Sequence, residues 1–169
     1  MVEEFSENGS NWKFQEISEM YLTVVKYRPQ RPSSFIELPE EIKNKNAVIN
    51  VKNDDQLCFL YAVLTYLLRG QGKDVWHLEQ VNTYTSDISK LNVENLSFPM
   101  SIDDIPKFQK MNPSLPPINV YALEKNLIVP VFISTKTLEK KELFDYDKSF
   151  INLLILEDDQ NNSHYCYIR

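Results

Sequence analysis

Apolar residues recur at helical spacing through the first two thirds of the chain and switch to alternation in the last third. After a polar opening of ten residues, Trp12, Phe14, Ile17 and Tyr21 predict a short helix. The stretch 27–34, Tyr-Arg-Pro-Gln-Arg-Pro-Ser-Ser, then breaks regular structure, and the β-branched run 47–51 predicts a strand. From Leu57 to Leu68 the residues are apolar on nearly every side, which predicts a buried central helix, ended by Arg69 and Gly70. Asn53 followed by Gln56 resembles a capping pair for it, while Asp55 equally suits a helix starting two residues later. Val81, Tyr84, Ile88 and Leu91 predict a second amphipathic helix. Ser101-Ile-Asp-Asp opens a third that carries Ile105, Phe108 and Met111, with Pro106 in its first turn. Beyond Pro113 the alternation predicts strands at 118–123, 128–134, 150–156 and 164–169. Helices followed by strands make an α+β domain with an antiparallel sheet.

Composition narrows the class. A chain of 169 residues, 43% hydrophobic and without repeats, has enough apolar mass for one core, so a single domain is expected over 1–169 with the first eleven residues flexible. A net charge of −6 argues against a general nucleic-acid binder, which must neutralise phosphates with Lys and Arg. No apolar run approaches a membrane span. Two cysteines supply neither a four-cysteine zinc site nor a disulfide framework, and without a recognisable secretory leader an intracellular, reducing location is expected.

Candidate chemistry centres on Cys58, placed where a polar turn becomes an apolar helix. Unpaired N–H groups and partial positive charge at a helix start favour a thiolate over the ordinary thiol, whose pKa is near ~8.5. Of the two histidines, His77 lies outside any predicted strand, whereas His164 opens the last one. Alternation puts His164, Cys166 and Ile168 on one face and Tyr165 and Tyr167 on the other. If the first face meets the central helix, His164 reaches Cys58, and Asn162, two residues earlier, is placed to orient the imidazole. Cys166 reads as packing, and the acidic pair Asp103 and Asp104 as the favoured charge of a helix first turn.

Several segments carry a resemblance: Phe-Ile-Glu-Leu-Pro at 35–39, the run 47–60 through Cys58, Phe-Pro-Met-Ser-Ile-Asp-Asp-Ile-Pro-Lys-Phe at 98–108, Ile-Asn-Val-Tyr-Ala-Leu at 118–123, and His-Tyr-Cys-Tyr-Ile at 164–168. Together, from about Trp12 to Arg169, the chain resembles the domain found upstream of the DNA polymerase in Polinton-type mobile elements. That domain is similar to viral tegument-like deubiquitinases, and more remotely to papain. The resemblance implies a papain-like cysteine peptidase that cleaves after the C-terminal glycine of ubiquitin through a thioester, with Cys58 as nucleophile, His164 as general base and no metal or cofactor. Tegument enzymes carry an acid two residues before the histidine, where this chain has the amide Asn162. Asn53 resembles the oxyanion glutamine of papain in its placement, with Asn50 and Gln56 as alternatives. Asp55 stands where ovarian-tumour-type deubiquitinases carry an Asp.

The implied partner is ubiquitin or its chains, with no membrane or nucleic acid, in cytoplasm or nucleus. The Lys- and Glu-rich stretch between Ser134 and Phe150 reads as a flap. A chain ending five residues after His164 reads as a piece of a longer protein. Two other functions fit the same residues: a protease that processes an element's own polyprotein, and a catalytically silent interaction module.

Overall fold

A computed structural model describes residues 35–69, 75–125, 127–135, 150–159 and 162–169. The helix expected at Trp12 to Tyr21 and the flap between Ser134 and Phe150 lie outside these residues, apart from Thr135. The described chain is a mixed α+β fold around a five-stranded sheet. Among the described residues there are four helices: α1 (Glu40–Lys43), α2 (Cys58–Leu68), α3 (Val75–Leu78) and α4 (Ile105–Met111). The strands are β1 (Val48–Ile49), β2 (Ile118–Glu124), β3 (Leu127–Phe132), β4 (Ile151–Glu157) and β5 (Ser163–Ile168). Among the described residues no helix is long and apolar enough to cross a membrane.

Sheet order is β1-β5-β4-β2-β3. All neighbouring pairs are antiparallel except β2 and β4, which run parallel with Ile118 opposite Ile151 and Ala122 opposite Ile155. The sheet is therefore mixed rather than antiparallel throughout. Alternation within a strand carries no information about its neighbour's direction, and here β3 turns the chain back so that β4 runs parallel to β2 on the other side of it.

The helix α2 is the centre of the core. Nine of its eleven residues are buried, and Phe59, Ala62, Val63 and Leu64 have no exposed surface. It packs on the sheet face formed by Ile151, Leu153, Ile155, Tyr165 and Tyr167, with Ile105 and Phe108 of α4 closing the same core. Phe59 meets Tyr165 and Phe108 edge-on at 5.3 and 5.1 Å between ring centroids. Arg69, at the C-terminal cap of α2, lies over the rings of Tyr66 and Tyr167 at 4.5 and 5.6 Å. On the opposite face Leu154, Leu156 and Cys166 are covered by Ile42 together with Ile36 and Leu38.

The amphipathic helix expected across 81–91 is instead two 3-10 turns, Val81–Thr83 and Ile88–Lys90. The intervening Thr-Tyr-Thr-Ser-Asp composition explains the break, since β-branched and short polar side chains compete with the helical backbone. Tyr84 is fully buried at the break, where its hydroxyl donates to the Leu78 carbonyl and lies 2.7 Å from Thr65 Oγ1 of α2. The third helix follows expectation: a 3-10 turn at Ile102–Asp104 runs into α4, with a proline in the first turn.

Truncating a fully buried α2 side chain is expected to be costly. Leu64→Ala should lower unfolding stability by about 2–5 kcal/mol in urea titrations, whereas Ile128→Ala, at a 55% exposed position, should change it by less than about 0.5 kcal/mol. Equal effects at the two sites would contradict the placement of the core.

Candidate active site

The polar turn before α2 is organised by Asp55. Its Oδ1 accepts the Leu57 N–H at 2.9 Å, and its Oδ2 accepts the Tyr61 hydroxyl at 2.6 Å, one helical turn inside α2. Asn53 Nδ2 donates to the Asp55 carbonyl at 2.7 Å and to Asp55 Oδ1 at 3.1 Å. Asp55, rather than the pair Asn53 and Gln56, is thus the residue that turns the chain into the helix, by the local side-chain-to-backbone bonding that short acids favour. Asn53 is buried with its amide hydrogens committed to Asp55, and Gln56 is exposed.

Cys58 is the first residue of α2 and is 1% exposed. Backbone N–H groups of Tyr165, Phe59 and Cys58 itself face the sulfur and favour its anion. Burial opposes them and wins, holding the thiol neutral with a pKa of about 11. The nearby Asp55 carboxylate pushes in the same direction as burial.

His164 comes from β5 and is fully buried. Burial alone lowers its pKa to about 4, so the ring is neutral. Its Nε2 lies 2.8 Å from Asn50 Oδ1, and its Nδ1 is a buried atom with no hydrogen-bond partner. Asn50 Nδ2 donates to the Ile36 carbonyl at 2.8 Å, and the Phe35 N–H donates to the Asn53 carbonyl at 3.2 Å. The Phe35 ring stands edge-on to the imidazole at 5.9 Å. Residues 35 and 36 therefore form a strap across the histidine and the turn that leads to the cysteine.

The alternation along β5 is as the sequence predicts, but the face that meets α2 is the other one. Tyr165 and Tyr167 pack on the helix, while His164 and Cys166 turn toward Asn50 and the strap. Two large aromatic side chains bury far more area against an apolar helix than a histidine and a cysteine can, which decides the orientation. The Cys58 sulfur nevertheless faces the N–H of Tyr165, the residue that follows His164 on β5. No hydrogen bond joins sulfur and ring.

Asn162 does not hold the imidazole. Its N–H and its Nδ2 each donate to the Asp158 carboxylate at 2.8 Å, which ties together the connection between β4 and β5. Asn50 holds the ring instead. A polar residue inside the apolar run 47–51 was the available signal for it, because a buried amide there must find partners. Cys166 is a packing residue whose thiol donates weakly to Asn50 Oδ1 at 3.3 Å. His77 sits in α3, exposed and far along the chain from these groups. A hollow of about 440 Å³ between α4 and the residues after β3, lined by Pro106, Gln109, Phe132 and Ile133 among others, holds none of the candidate residues. No three His, Cys, Asp or Glu side chains gather around a metal-sized space among the described residues.

No family model, no curated protein and no solved structure matches the chain.

A buried neutral histidine makes stability depend on pH. With a folded pKa of about 4 against an ordinary 6.5, the unfolded chain binds the proton more readily, so stability is full above about 6.5 and falls as pH drops toward about 4. The shift amounts to roughly 3 kcal/mol. Urea titrations of wild type and His164→Gln at pH 7 and pH 4.5 isolate this contribution. The wild type should lose more stability than the variant over that interval, and parallel losses would remove His164 as the cause.

Proposed function

We propose that the chain is a thiol-dependent peptidase acting after the C-terminal glycine of ubiquitin, with Cys58 as nucleophile and His164 as general base. The observation that carries this reading is the imidazole fixed by Asn50 through Nε2, with an unpartnered Nδ1, next along β5 from the N–H that faces a helix-start thiol. Ubiquitin as substrate rests on the resemblance of the motifs to tegument-like deubiquitinases.

In the reaction His164 Nδ1 takes the Cys58 proton as sulfur attacks the glycine carbonyl. The same proton passes to the departing lysine amine when the C–N bond breaks, leaving a thioester. Water, deprotonated by His164, then releases the carboxylate and restores the thiol. The Cys58 N–H is the oxyanion donor at the helix start, and loss of such a donor costs roughly 3–4 kcal/mol of barrier in other enzymes. Asn53 would join it only after leaving Asp55.

Substrate must open the site, because both reacting side chains are sealed. Opening lets water in, removes the burial that holds the thiol neutral, and leaves the N–H groups that favour the thiolate. The same burial also favours a second reading, a protein-interaction module that keeps the fold with a silent thiol.

Incubation with ubiquitin bearing a C-terminal electrophile separates the two, followed by intact mass and run beside a panel of related modifiers and peptide electrophiles. Wild type and Cys166→Ala should form the ubiquitin adduct, Cys58→Ala should form none, and His164→Ala should react at least about a hundredfold more slowly. A folded wild type that reacts with nothing in the panel would leave only the silent module, and reaction with peptides alone would replace ubiquitin by a polypeptide substrate.

A further inference from the structure

The reading of Cys58 and His164 as a reacting pair leaves open what makes the histidine a base at the correct nitrogen. We propose that Asn50 is the positioning residue of His164, fixing the ring as its Nε2–H tautomer and keeping the Nδ1 lone pair free for the thiol proton. This rests on the peptidase reading for its purpose, but not for its geometry.

The tautomer follows from a chain of donors and acceptors. The Ile36 carbonyl can only accept, so the Asn50 atom 2.8 Å from it is the donating Nδ2. Asn50 Oδ1 is thereby turned to His164 Nε2 at 2.8 Å, and an amide oxygen can only accept, so the proton sits on Nε2. The Cys166 thiol donates to the same oxygen at 3.3 Å, which gives Oδ1 two donors and no reason to rotate. Asn50 is 5% exposed, so water does not compete for these bonds. Nδ1 is then the bare nitrogen, and it is the ring atom without a partner. Of the titratable groups, the Cys166 thiol shares the Asn50 oxygen with the ring, and burial is the one cause that shifts the ring's titration.

An orienting residue just after β1 differs from the expectation of one two positions before the histidine. It also couples the ring to the strap, because the Ile36 carbonyl is what fixes the amide. Displacing the strap frees Asn50 Nδ2 but leaves the Oδ1 contact available.

The test uses the full chain carrying His77→Gln, which leaves one imidazole, labelled with 15N and read by long-range proton–nitrogen correlation at pH 7. In the parent the ring should be the Nε2–H tautomer. Asn50→Leu should shift the tautomer population toward Nδ1–H, and Asn50→Asp, which keeps an acceptor and adds charge, should retain the Nε2–H and raise the histidine titration. In parallel, reaction with the ubiquitin electrophile should slow tenfold or more in Asn50→Leu and less in Asn50→Asp. A parent ring protonated on Nδ1, or an unchanged tautomer in folded Asn50→Leu, overturns the proposal. Should Asn50→Leu fail to fold, the parent tautomer and the Asn50→Asp titration still decide. A correct tautomer in a chain that never reacts with the electrophile supports Asn50 while defeating the peptidase reading, and the converse defeats Asn50 alone.

Discussion

The packing of an almost wholly apolar helix against the aromatic face of β5 governs the rest of this structure. A helix such as α2, buried at nine of eleven positions, has no side to offer to water and must be enclosed by other elements. Tyr165, Tyr167, Leu153 and Ile155 supply one wall, and α4 with its Phe108 supplies another. Enclosure carries a chemical consequence at the first residue of that helix. Cys58 shares the dryness of the core that surrounds the helix it starts, so its thiol is neutral in spite of the N–H groups gathered around it.

Two opposing effects meet at that sulfur. Helix-start N–H groups and the Tyr165 N–H stabilise charge, while the absence of water destabilises it more. His164 is under the same constraint with the opposite sign of charge, so each group sits in its uncharged form. The histidine is held by geometry instead, through Asn50, Ile36 and the strand β5.

Much of this was readable in the residues. The run from Leu57 to Leu68 shows α2 without ambiguity, because no other local structure hides so many apolar residues in sequence. The alternation of β5 separates histidine and cysteine from the two tyrosines. Which face meets the helix was not readable by periodicity, which treats both faces alike; it follows from comparing the areas that tyrosine and histidine can bury. The partner of His164 was hidden for another reason. Asn50 lies 114 positions away, and only the pairing of β1 with β5 brings it across. The parallel pairing of β2 with β4 was likewise invisible, since a strand's own pattern is silent about direction. At 81–91 apolar spacing suggested a helix, but Thr83, Thr85, Ser86 and Asp87 prevailed locally.

The two ends of the sheet share a further property. A strand at the margin of a sheet presents unpaired N–H and C=O groups, a template on which another chain can add and aggregate. Here one margin is β1, only two residues long, and the other is β3, which exposes Leu127 and Ile128 but carries Pro130 midway. Proline lacks the donor that a continuing ladder requires, and the pairing of β3 with β2 is already irregular between Val120 and Tyr121. Shortness at one margin and a missing donor at the other guard the described sheet against growing by edge-to-edge association, even though its outer strand shows apolar side chains to water.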